Sequence, residues 1–172
     1  MNKTWITILA LSATLGALAQ GQVNFDTHVT SDIPPVHAPV IGYGGFPLTD
    51  GFGQLVIVGH NGSLTPLTPI GAFGTGAEAG YINAGPATAP PGFPGGTTVS
   101  LILRAWRGGP GSTYDTTAER GQSSPISVTL EESPNALNGL VGLNGIVFLP
   151  EPTTLALGAL IVGATLLLRR RR

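Results

Sequence analysis

Apolar runs in this chain are short, and glycine or proline closes nearly every one. The clearest is TTVSLILRAW, Thr97 to Trp106. Alternation there places Val99, Leu101, Leu103 and Ala105 on one face and Ser100, Ile102, Arg104 and Trp106 on the other. The second face is mixed, which predicts a central strand covered in part on both sides. Gln54 to Val58 is apolar and β-branched, and Asn61-Gly62 just beyond it predicts a type I′ hairpin turn. Ser63 to Ile70 would return from that turn, with Pro66 and Pro69 restricting it to a sheet edge. Ile126, Val128 and Leu130 alternate with polar neighbours as in a half-buried strand. Gln22 to Phe25, Val36 to Gly42, Ala79 to Asn83 and Leu143 to Leu149 are less regular strand candidates. GSTYDTTAER, Gly111 to Arg120, predicts a single helical turn that Gly121 ends.

Some six to eight short strands with turn signals between them predict an all-β body, an antiparallel β-sandwich or open barrel. Most of the chain's 26 glycines and 15 prolines lie in this body and argue against amphipathic helices there. Either residue costs a helix interior about 1–3 kcal/mol.

The two ends break this pattern. Lys3 precedes an apolar run from Trp5 to Leu18, followed by small residues at Ala17 and Ala19. That layout predicts a signal peptide over 1–19, helical in its apolar part and cut after Ala19, with Gly21 as the alternative. An uncleaved N-terminal anchor is the competing reading. At the other end, Thr153 to Leu168 carry no charge, and Arg169, Arg170, Arg171 and Arg172 follow. As a helix this stretch spans ~24 Å, near the ~30 Å hydrocarbon core, and snorkelling arginine stems make up the difference. A single C-terminal transmembrane helix is expected, with the arginines as a cytoplasmic stop and the body outside. The exported body is then 20–149, and 150–172 is a tail.

Charge sharpens this division. The body has three arginines against eight acids, a net −5, and no lysine. Such a surface does not neutralise a run of phosphates, so no nucleic-acid partner is expected. Cysteine is absent, which excludes disulfides, a cysteine nucleophile and thiolate metal sites.

A search for chemistry yields little. His28, His37 and His60 form no metal-ligand spacing and are read as surface or turn residues. Glu131 and Glu132, adjacent at a strand end, would point to opposite faces rather than flank one bond. Gly109 to Thr113 lacks the lysine of a phosphate loop, and no nucleophile elbow is present. No catalytic residue, metal or cofactor is predicted. Among the aromatics Tyr43, Phe46, Phe52, Phe93, Trp106 and Tyr114, the best glycan-contact candidate is Trp106, flanked by Arg104 and Arg107. A core position for Trp106 is the alternative.

Pro150-Glu151-Pro152, the apolar stretch and the terminal arginine cluster together resemble the PEP-CTERM protein-sorting signal of bacterial exported proteins. The resemblance covers 150–172. It implies recognition by a membrane-embedded exosortase, removal or transfer of the tail, and release to the cell surface or extracellular matrix. The wall-anchoring LPxTG signal fits less well, because Pro152 and Thr153 stand where it needs threonine and glycine. The body is similar to short exported proteins carrying this tail, through GQLVIVGHNGSLTPL, GAFGTGAEAGY, LRAW and GSTYDTTAERGQSSPISV. This supports one domain over Gln22 to Leu149 and brings no activity with it.

The resulting expectation is a non-enzymatic exported surface or matrix protein. Its route passes an inner-membrane intermediate whose C-terminus is cytoplasmic. Its expected partners are the exosortase-type enzyme, the membrane and extracellular polysaccharide. The alternatives are a polysaccharide-binding module, or a single-span anchored protein whose tail is never cut.

Overall fold

The computed structural model describes residues 19–149, and within them the chain is sheet-rich. Twelve strands follow in order: β1 (Gln22–Asp26), β2 (His28–Val29), β3 (Val36–His37), β4 (Val40–Ile41), β5 (Phe52–Val58), β6 (Leu64–Pro66), β7 (Gly71–Ala72), β8 (Asn83–Thr88), β9 (Thr98–Trp106), β10 (Arg120–Gln122), β11 (Ile126–Thr129) and β12 (Ile146–Val147). Two single 3-10 turns, Gly76–Glu78 and Tyr114–Thr116, are the helical segments among the described residues. None of these is long and apolar enough to cross a membrane. The expected signal segment, Ala19 apart, and the expected transmembrane helix lie outside the described residues.

β9 is the centre of the principal sheet. It pairs antiparallel with β5 on one edge and with β10 and β11 in succession on the other. β5 in turn receives β6 and β7 on its free edge. The alternation read from the sequence holds: Val99, Leu101, Leu103 and Ala105 are buried in one cluster. That cluster also takes Leu55 and Ile57 of β5, Val128 of β11, and Val23, Phe25 and Ala87 of the separate β1–β8 pair. Gly53 and Gly71, neighbours across β5 and β7, leave the space that Ile82 fills. A Cβ at either position would collide with Ile82.

The sequence expectations need five corrections. The Asn61-Gly62 turn is not type I′, because only Gly62 has positive φ (76°). The Gly62 N–H donates to the Gly59 carbonyl and the Gly59 N–H to the Ser63 carbonyl, at 2.9 and 2.8 Å. This is the three-residue hairpin loop with a bulged glycine, which needs one left-handed residue where type I′ needs two. The return strand splits into β6 and β7 around Leu67–Ile70, though it keeps to the sheet edge as its prolines require. β12 runs parallel to β4, so the sheets are not wholly antiparallel. The strand expected at Ala79–Asn83 starts at Asn83 instead. Its Pro86 is accommodated in a two-stranded pair, with no central ladder demanding its missing N–H. Gly121 does not end a helix; it lies inside β10 opposite Ala105.

A buried threonine joins the first hairpin to the core. Thr27 is fully buried, and its hydroxyl accepts the Ile82 N–H at 2.9 Å while its own N–H donates to the Ile82 carbonyl. Thr27→Val keeps the shape and orphans the Ile82 donor. A loss of about 1–3 kcal/mol is expected, measured as a lower urea midpoint at unchanged slope.

Candidate functional site

The outer face of the β5–β9 ladder faces away from the common core. Cross-strand pairs there are Phe52 with Trp106, Gln54 with Arg104, and Val56 with Ile102. Over this face lies a groove of about 480 Å3, walled by Leu64, Pro66 and Ile70 on one side and by Ser112 to Asp115 on the other. The volume falls within the ~300–1,000 Å3 usual for small-ligand sites.

The second wall is a built loop. The Trp106 Nε1–H donates to the Ser112 carbonyl and hydroxyl, each at 3.2 Å. The Thr113 and Thr116 side chains close a capping box around the 3-10 turn. Arg120 Nη1 donates to the carbonyls of Tyr114 and Asp115 at 3.1 and 2.8 Å, tying the turn to β10. These bonds fix Tyr114 beneath the Arg104 guanidinium, whose carbon lies 4.4 Å from the ring centroid.

Arg104 is the distinctive group of the groove. Its Nε is buried and has no hydrogen-bond partner. It takes no part in the three ion pairs formed among the described residues. Stacking uses the flat face of a guanidinium and leaves the in-plane N–H donors unspent. A buried donor without an acceptor costs about 1–3 kcal/mol, more on a cation. Nε is closed off by the protein itself, so an incoming group meets the Nη edge of the guanidinium, and a cation outside every ion pair among the described residues favours an anionic acceptor at that edge.

The three residues singled out as a glycan contact separate. Trp106 is 2% exposed, with its ring under the loop and edge-on to Tyr114. It does not present a flat face to a sugar. Arg107 projects elsewhere: it holds Asp50 at 3.0 Å and Glu119 at 2.8 Å. Its hydrogen bonds to Glu119, and then to Asp50, raise its pKa above the ordinary arginine value. Only Arg104 is left in the groove with donors to offer. Tyr114, present in the sequence only as one aromatic among several, is the ring that supports it.

One cluster was not legible in the sequence. β2 and β3 place His28 directly opposite His37, and Tyr81 joins them. The His28 ring stacks on Tyr81 with centroids 4.4 Å apart, its Nδ1 is 3.0 Å from Glu78 Oε2, and the Tyr81 hydroxyl meets the His37 ring at 3.0 Å. The nine-residue spacing around Pro34 and Pro35 was the available signal, a hairpin between two histidines. Among the described residues no group of three or more His, Asp or Glu is placed to hold a metal.

Ala19 is described and exposed. Ala17, Pro150, Glu151, Pro152 and Arg169 to Arg172 lie outside the described residues. No protein-family model, curated protein or solved structure matches the chain significantly.

Proposed function

We propose that this is a non-enzymatic exported surface or matrix protein whose β-sandwich body is delivered by a removable C-terminal sorting tail. The observation that carries this is the three-part layout of the tail: Pro150-Glu151-Pro152, an uncharged stretch to Leu168, then Arg169 to Arg172. Each part has a physical task. A proline at 152 disfavours helix for the residue before it, which suits a segment that a processing enzyme must reach. The apolar stretch enters the bilayer as a helix, and the arginines stop its passage. An exosortase-type membrane enzyme is the partner such a tail requires.

The body supports a delivery role over catalysis. The β1–β8 pair and the β5–β9 sheet share one core, the arrangement expected of a sandwich. Five of its eight carboxylates are engaged structurally: Asp26 by the His28 N–H at 2.9 Å, Asp50 and Glu119 by Arg107, Glu78 by His28, and Glu131 by the Asn138 amide at 2.7 Å.

Intact mass by cell fraction tests the proposal. The mature chain is expected outside the cell, starting at Gln20 and ending between Pro150 and Thr153. With Pro150, Glu151 and Pro152 all replaced by alanine, the chain is expected in the membrane fraction with its arginines intact. A wild-type mass ending at Arg172 in that fraction would make the tail a permanent anchor and overturn the sorting role.

A further inference from the structure

We propose that the groove around Arg104 binds a carboxylate-bearing sugar, a uronic acid unit of an acidic polysaccharide. This deepens the exported-matrix reading, which supplies the setting in which such a polymer is met. The binding itself stands on the groove.

Three observations converge on that ligand class. Arg104 presents a guanidinium stacked on Tyr114 that has no acidic partner within the described residues, and with Nε shut in by the protein its Nη edge is the one left for a ligand. A carboxylate accepts from two in-plane donors of such a fork at once, which a hydroxyl does not. Leu64 and Ile70 on the facing wall are 42% and 50% exposed, and with Pro66 they offer an apolar surface to the C–H face of a pyranose. Asp115 adds a carboxylate acceptor for a sugar hydroxyl on the remaining wall, beside Ser112 and Thr113, whose hydroxyls keep lone pairs beyond their bonds to Trp106, Gly109 and Thr116. A purely apolar ligand would leave the arginine unmet, and a bare inorganic anion would leave the apolar wall unused. An acidic peptide shares the carboxylate but lacks the ring of hydroxyls.

The test is a titration of the full-length chain in detergent micelles, with Trp5 replaced by phenylalanine so that the fluorescence read is that of Trp106, which lines the groove. The probes are oligogalacturonate, its methyl ester and oligoglutamate. Oligogalacturonate is expected to bind, the ester to bind at least about tenfold more weakly, and oligoglutamate weakly or not at all. Arg104→Gln is expected to lower oligogalacturonate affinity about tenfold to a hundredfold. Arg107→Gln, whose partners lie outside the groove, is expected to change it less than about twofold.

Equal affinity for acid and ester, or no binding of either by the wild-type chain, would overturn the proposal without any variant. So would undiminished binding by Arg104→Gln. Binding of oligoglutamate as tight as the sugar would replace the polysaccharide with an acidic protein. None of these results bears on where the tail is cut, so the sorting role is judged separately by mass.

Discussion

Trp106→Ala is expected to destabilise the body by about 3–5 kcal/mol, the usual cost of deleting a large buried aromatic. The indole is 2% exposed, packs at 6.1 Å from Phe52 and 6.3 Å from Tyr114, and bonds the Ser112 loop through Nε1. Its removal therefore opens a cavity and releases the loop that holds Tyr114. Trp106→Phe separates the two effects, since it retains much of the bulk and loses only the Nε1–H donor. A loss near 1–2 kcal/mol is expected for that variant. Urea unfolding followed by circular dichroism measures both. A fully stable Trp106→Ala would mean that the indole stands free of the core, and its role as an open sugar platform would return.

Gly51→Ala is expected to cost about 2–5 kcal/mol, a large effect for one methyl group. Gly51 has φ of 123°, a region L side chains rarely adopt. A Cβ there would also collide with the Trp106 carbonyl oxygen and come within 2.9 Å of the Arg107 Cα. Both obstacles are backbone at the end of β9, so no rotamer change relieves them. Gly62→Ala provides the comparison. Its φ of 76° is also left-handed, but nothing lies within 4 Å of the added methyl. A cost of about 1–2 kcal/mol is expected there, the conformational part alone. The difference between the two melting shifts reports the collision together with the less accessible φ at Gly51. Equal shifts would show that the chain at Gly51 moves away from β9 without penalty.

The two sites also constrain each other. Gly51 packs on the Trp106 backbone, so losses from the pair are expected to combine non-additively, as contacts within one cluster do.

The central strand was legible in the sequence because its signal is local. Val99, Leu101, Leu103 and Ala105 alternate at the two-residue period that a pleated strand imposes, and no tertiary information is needed to see which face is apolar. The same holds for β5, for β11, and for the confinement of the proline-bearing return segment to an edge. The expected division into signal, body and tail rests on composition alone, since charge and hydropathy change abruptly at those points. Turn chemistry was less secure. Asn61-Gly62 fits several hairpin geometries, and the register Val58 to Leu64 selected the one with a bulge.

What only the tertiary structure decided is which side chains meet. The parallel pairing of β4 with β12 joins segments over a hundred residues apart, and no local pattern encodes it. The outer face of β9 read as mixed, with Arg104 and Trp106 side by side in the alternation. Folding gave them opposite fates, because the Ser112–Thr116 loop closes over the indole and sets Tyr114 under the guanidinium. Arg107, next in sequence to Trp106, was drawn off by Asp50 and Glu119, which are 57 and 12 residues away. His28 and His37 met through a hairpin that their spacing alone did not announce. Strand periodicity is a property of neighbours along the chain; a binding groove is a property of neighbours in space. The sequence by itself determined the principal strands and carried the expectation of export, and the fold selected Arg104 as the groove arginine left outside every ion pair among the described residues.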